Sequence, residues 1–162
     1  MNVPIVVSDT SPVRALAHLG LVDLLGTLFD RVFIPPAVVA ELARVGIDLS
    51  TPSGFPTWLE VRAPADVRQV ADLMMELDRG ESEAITLAIE VGSTELLIDE
   101  ADGRKVAHQM GLEPVGVIGV LIRAKARGRL ATVLPLLDRL QSELNFFISA
   151  ALRPEAARLA GE

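Results

Sequence analysis

The chain has 162 residues, with 22 Asp and Glu against 15 Lys and Arg, for a formal net charge of −7. That balance argues against binding nucleic acid through bulk positive potential, but not against a nuclease whose metal ions offset the acids of its own site. Half the residues are hydrophobic and mean hydropathy is +0.40, yet no apolar run approaches the ~20 residues a membrane helix needs. The absence of Cys excludes disulfides and thiolate metal sites and makes a cytoplasmic setting the simplest reading.

The length suits one domain, 1–162, with a sizeable core. Met1-Asn2-Val3-Pro4 has no basic leader and the apolar stretch stops at Ser8-Asp9, so residues 3–8 are predicted as a buried first strand and not a signal peptide. Ser11-Pro12 carries a helix-start signature, with Ser at the N-cap and Pro at the first helical position. Helical pieces follow over 13–19 and 21–29, with Gly20 between them. Residues 31–34 read as a short strand, and Pro35-Pro36 opens a helix over 37–45. The Gly, Pro, Ser and Thr of 46–56 make a loop. A short strand over 58–61 precedes helices over 66–77 and 81–91, separated by Asp78-Arg79-Gly80. A strand over 95–98, a helix over 101–110 and a strand over 113–115 come next. Helices over 118–127 and 131–144 lead to a tail, 145–162, predicted as a short strand or extended piece and then a short helix. Strands alternating with helices favour a parallel sheet covered on both faces, an α/β fold. In such sheets ligands bind beyond the carboxyl ends of the strands, at a switch point.

Four acids stand out against this frame. Asp9 and Asp99 end the apolar runs Ile5-Val6-Val7 and Leu96-Leu97-Ile98. Glu41 shares one helical face with Val38, Leu42 and Val45, where a charge is costly without a partner. Glu81 shares a face with Ala84, Ile85 and Ala88, whereas Glu83 shares one with Thr86, Leu87 and Glu90, so Glu81 is the inward candidate and Glu83 the more solvated one. Each has a bland alternative: Asp9 as a turn residue, Glu41 in a buried ion pair, Glu81 serving a helix N-terminus. Glu100 and Asp102 follow Asp99 closely; one of the three can be a helix-dipole partner, and Asp102 an outer ligand. Together, carboxylates without nearby Cys or His suit a hard ion, Mg²⁺ or Mn²⁺, and so a reaction on phosphate. His18 and His108 are isolated and read as surface or packing residues. No GxxxxGK[ST] or GxGxxG follows a strand.

At these residues the chain resembles the PIN-domain family, particularly the prokaryotic branch related to VapC toxins. The segments that carry the likeness are Val6-Val7-Ser8-Asp9-Thr10-Ser11-Pro12, Ile34-Pro35-Pro36-Ala37-Val38-Val39-Ala40-Glu41-Leu42, Gly80-Glu81-Ser82-Glu83-Ala84-Ile85-Thr86-Leu87-Ala88, and Leu97-Ile98-Asp99-Glu100 with Gly103-Arg104. The resemblance implies a three-layer α/β/α sandwich around a parallel sheet and Mg²⁺- or Mn²⁺-dependent RNA cleavage. It maps the family's acids onto Asp9, Glu41, Glu81 and Asp99, with Thr10 or Ser11 bonded to the first carboxylate. It also implies a homodimer and, if the protein is a toxin, a small antitoxin partner. Two departures matter: the third acid is Glu where many toxins have Asp, and Asp9 stands where this branch often has Asn.

On this reading Asp9 and Asp99 bind the metal, while Glu41 and Glu81 complete the site; Glu83 competes with Glu81 for the third place. RNA enters over a basic rim, with Arg14, Arg104 and Lys105 as candidates. The cluster Arg123, Lys125, Arg127 and Arg129 is a further candidate or an ordinary solvated helix end. The alternative from another class is a non-catalytic PIN-like module that binds RNA or protein. A phosphatase or 5′-nuclease with the same metal logic is a second.

Overall fold

Runs of branched apolar residues make the strands, and the side chains on them alternate between two covered faces. The computed structural model describes residues 3–162, with side chains from residue 5 onward. Met1 and Asn2, the leading part of the leader reading, lie outside the described residues. Strands β1 (Val3–Ser8), β2 (Phe29–Ile34), β3 (Leu59–Val61), β4 (Glu95–Leu97) and β5 (Glu113–Val115) form one sheet in the order β3-β2-β1-β4-β5. Every pairing is parallel. The chain runs outwards from β1 to β3 and then returns to β4 on the other side, so the β1/β4 junction is the switch point.

Strand alternation sorts the core into two layers. Val6, Val32, Ile34 and Leu97 face α1 (Thr10–His18), α2 (Leu24–Leu28), α7 (Val117–Ala126), α8 (Leu134–Leu144) and α9 (Leu152–Ala160). Val7, Phe33, Leu96 and Ile98 face α5 (Arg79–Val91) and α6 (Ala101–Gln109). Two further helices, α3 (Pro36–Arg44) and α4 (Val67–Leu73), pack beside α5. The expected three-layer α/β/α sandwich around a parallel sheet is what the chain forms. The inner strands β1, over Val6–Ser8, and β4 are buried on both faces and need no polar alternation, whereas β2 carries the exposed Asp30 and Arg31 and the outer strands β3 and β5 are only partly covered.

Several expected boundaries move. The first helix starts at Thr10, so Asp9 and not Ser11 holds the N-cap position, and Pro12 lies buried within the first turn. Helix α4 ends at Leu73, well before the expected 77. The tail holds no strand: 145–151 is irregular and α9 follows. Asn145, with φ of 52°, terminates α8 in the left-handed region that Asn tolerates. Among the described residues no helix is long and apolar enough to cross a membrane.

Candidate functional site

The carboxyl end of β1 projects Asp9 into a cleft of about 480 Å³ at the switch point. The Asp9 backbone N–H still bonds the Leu97 carbonyl at 2.8 Å, so the ladder of the sheet holds this residue in place. Its side chain is 2 % exposed, and Oδ1 has no hydrogen-bond partner. Burial raises its carboxyl from 3.8 to about 7. The Thr10 backbone N–H offsets part of that, and the negative charges of Asp78, Glu41 and Glu100 add to it.

Glu41 enters from α3 and Glu81 from α5. Thr10 Oγ1 donates to Glu41 Oε2, fixing the Glu41 carboxylate, while the Thr10 backbone N–H is the group that bonds Asp9, as the resemblance implied for Thr10 or Ser11. Glu81 is 7 % exposed. Burial first, then a hydrogen bond with Asp78, then the charges of Asp78, Asp9 and Glu100 raise its carboxyl to about 8. Glycine supplies the room: a Cβ at Gly80 would meet Glu41 Oε1 at 2.5 Å, and one at Gly103 would collide with Glu81 Oε2. Thr10, Ser11, Arg14 and Asp102 also line the cleft. Ser11 Oγ lies 3.4 Å from Glu100 Oε1.

Asp99 is not among the residues that line this cleft, although its Oδ2, like Asp9 Oδ1, is buried without a hydrogen-bond partner. It borders a neighbouring pocket of about 440 Å³ and accepts the Val117 N–H on Oδ1 at 3.0 Å, at the start of α7. Burial raises its carboxyl to about 6, against the lowering effect of Val117 and Arg104. Glu100, weighed in the sequence only as a dipole partner, is the residue of this segment that lines the cleft. Sheet register explains why the two neighbours border different hollows. Val7 pairs with Leu96 and Ser8 with Leu97, so paired side chains share a face. Asp9 continues the face of Val7 and Leu96, Asp99 continues that of Leu97, and Glu100 falls on the face of Asp9.

Glu83 departs from expectation too. It is not solvated but 8 % exposed. Helix α5 is sandwiched between the sheet and α3, so both of its acid-bearing faces are covered. Its Oε1 accepts the Ala37 N–H at 3.1 Å and its Oε2 the Arg79 Nη1 at 3.1 Å, outside the cleft. Asp78 and Glu76 line the cleft without having been singled out. Asp78 was legible: Asp-x-x-Glu before a helix is a capping signal, and Asp78 Oδ1 accepts the Glu81 N–H at 2.8 Å.

Of the basic candidates, Arg14 alone lines the cleft. Arg104 Nη1 donates to the Ile98 carbonyl at 3.0 Å, and Lys105 borders an adjoining hollow. Arg123 and Lys125 are engaged with Glu95 and Glu162, and Arg127 with the Leu28 carbonyl. Glu95 begins β4, at the opposite edge of the sheet from the cleft. Arg129 is not among the cleft-lining residues. His18 pairs with Glu143 at the surface, as its isolation suggested, and His108 is exposed.

Chemically the cleft suits a hard cation. An unpartnered buried carboxylate oxygen, surrounded by further carboxylates, is costly without positive charge. Among the described residues no group of three His, Cys, Asp or Glu side chains is placed so that it could hold a metal ion.

Comparison with curated proteins finds no match. A family model described as PIN domain matches residues 5–162, a span that includes every acid described above. The chain therefore belongs to the PIN-domain family.

Proposed function

We propose that the protein is an Mg²⁺- or Mn²⁺-dependent endoribonuclease of the VapC-like branch, acting as the toxin of a toxin–antitoxin pair. The observation that carries this reading is the buried, unpartnered Oδ1 of Asp9 at the switch point, ringed by Glu41, Glu81 and Glu100. Membership of a family whose fold is of the nuclease type supports it.

In this reading Asp9 and Glu81 hold the cation, and Glu100 takes the place expected of Asp99. Bound there, the ion supplies positive charge to a phosphate and makes a water more acidic. Thr10 holds the Glu41 carboxylate so that it can accept a proton from the attacking water. Arg14, at the cleft wall, orients the phosphate. Asp99 and Arg104 act as supports, tying the end of β4 to the start of α7. RNA is the substrate, and a small antitoxin and a second copy of the chain are the protein partners. Large apolar side chains left exposed, Val67 and Met75 on and after α4 and Phe147 before α9, offer surface for them.

The test is cleavage of a mixed single-stranded RNA pool with Mg²⁺, Mn²⁺ or EDTA, for wild type and Asp9→Asn. Cutting that needs the metal and disappears in the variant is expected. Full activity of Asp9→Asn would sink the assignment. A folded wild type that binds metal and cuts nothing would move the reading to a non-catalytic binding module.

A further inference from the structure

We infer that Glu83 is a positioning residue: it clamps α3 against α5 and thereby sets the separation of Glu41 from Glu81. The inference rests on the metal-site reading above and goes beyond it by giving a role to a buried acid which that reading leaves unused.

Helix α3 begins with no side-chain cap of its own, since its N-cap residue is Pro35. Its first turn nonetheless has backbone donors to satisfy. Pro36 has no N–H, and the N–H groups of Val38 and Val39 both reach the Pro35 carbonyl, at 3.0 and 3.2 Å. The Ala37 N–H is the donor left over, and Glu83 Oε1 takes it from the neighbouring helix at 3.1 Å. A carboxylate at a helix N-terminus is favourably placed with respect to the helix dipole. Arg79, one turn earlier on α5, holds the other Glu83 oxygen at 3.1 Å, so the carboxylate is fixed on both sides. The first turn of α3 contains no acid that might serve instead.

The same two helices meet again one turn away. Ala37 and Glu41 are stacked on one face of α3 at i, i+4, and Gly80 and Glu83 on one face of α5 at i, i+3. At the second meeting point Gly80 faces the Glu41 carboxylate so closely that a Cβ there would lie 2.5 Å from Oε1. The helices therefore touch at two rungs, Glu83 with Ala37 and Gly80 with Glu41. The first rung is a charge-assisted bond and the second is a hole. Glu81 lies between Gly80 and Glu83 on α5, so any slip along the first rung moves it relative to Glu41. Glu83 thus acts on the site through backbone register, from outside the cleft.

The experiment is Mn²⁺ affinity, read by paramagnetic resonance of the free ion well below the unfolding temperature, for wild type, Glu83→Ala and Glu83→Gln. Amide hydrogen exchange at Ala37 is followed in the same samples. The Gln amide oxygen can still accept the Ala37 N–H but the ion pair with Arg79 is lost, so Glu83→Gln is expected to keep a protected Ala37 amide and an affinity between those of wild type and Glu83→Ala. Glu83→Ala is expected to lose about tenfold in affinity, as removal of a supporting partner does at metal sites, with faster exchange at Ala37. Glu83→Ala with unchanged affinity would overturn the inference. So would Glu83→Gln as weak as Glu83→Ala with the Ala37 amide still protected, because the loss would then not run through the Ala37 bond. A wild type that holds no Mn²⁺ overturns the metal site and this inference together. A wild type that binds Mn²⁺ in the Glu83-dependent way yet cuts no RNA supports the inference and overturns the nuclease reading alone.

Discussion

The two edges of the sheet, across the strand ends, treat buried acid in opposite ways. Glu95, at the start of β4, is 7 % exposed and receives both arms of Arg123, at 3.1 and 2.7 Å. Arg123 in turn lies over the Phe29 ring, 5.6 Å from its centroid. At the far edge of the sheet Asp9 is at least as buried, has an oxygen with no partner, and faces more carboxylates. One edge satisfies its charge internally, as a structural pair must. The other leaves charge unsatisfied and holds it there by the sheet ladder and by the helices around it. A fold retains such an arrangement where something outside the chain completes it, and this contrast supports the cleft as the working end.

Asp9→Asn gives the largest contrast in stability. In the metal-free protein the Asp9 carboxyl is raised from 3.8 to about 7, so the native state binds protons more tightly than the unfolded chain. Stability from this group is then fully present below pH 4 and is lost as pH rises through 7. The loss is at most about 4 kcal/mol, at about 1.4 kcal/mol per tenfold change in proton affinity. Urea unfolding of metal-free wild type should therefore weaken from pH 4 to pH 8, with Glu81 extending the fall to the upper end of that range. Asp9→Asn should unfold at higher urea than wild type at pH 8 and show a flatter profile. A variant that is weaker than wild type at pH 8 would break the comparison.

At the opposite edge, Arg123→Ala should cost about 3 kcal/mol, because it strands the buried Glu95 carboxylate. RNA cleavage per folded molecule should not change. Loss of cleavage in well-folded Arg123→Ala would show that the two ends are coupled. Adding Mg²⁺ or Mn²⁺ at pH 8 should raise the melting temperature, by the equivalent of about 2.7 kcal/mol at a hundred times the dissociation constant. At pH 5, where protons already neutralise the acids, the gain should shrink. An equal gain at both pH values would place the bound ion outside the cleft.

The smallest effect on folding should come from Gly80→Ala. Its Cβ would press on the Glu41 carboxylate and push it from Thr10, which offsets the gain of about 1 kcal/mol from better helix propensity, so stability should stay near that of wild type. Mn²⁺ affinity should nevertheless fall about tenfold, since Glu41 must move. Titration calorimetry beside thermal melting separates the two. Unchanged affinity would remove Glu41 from the site.

Much of the fold was legible because strand and helix differ in period, and because Pro, Gly and Asn punctuate the chain. Asp9 and Glu41 stand out in the sequence as charges in an apolar context, and the structure brings both to one cleft. Glu81 is the inward acid of the pair, as spacing suggests, but Glu83 is buried nearly as deeply, because helical spacing gives faces relative to one another without saying how many of them are covered. Asp99 and Glu100 are adjacent in sequence and differ by one step of strand alternation. Choosing between them needs the register of β4 against β1, and that register comes from long-range pairing. The sequence by itself determined the alternating α/β frame, the burial of the strands and the acids available. Only the tertiary structure decided which acids meet, because that depends on which strands lie side by side and on how far two helices can slide before a glycine or a cap stops them.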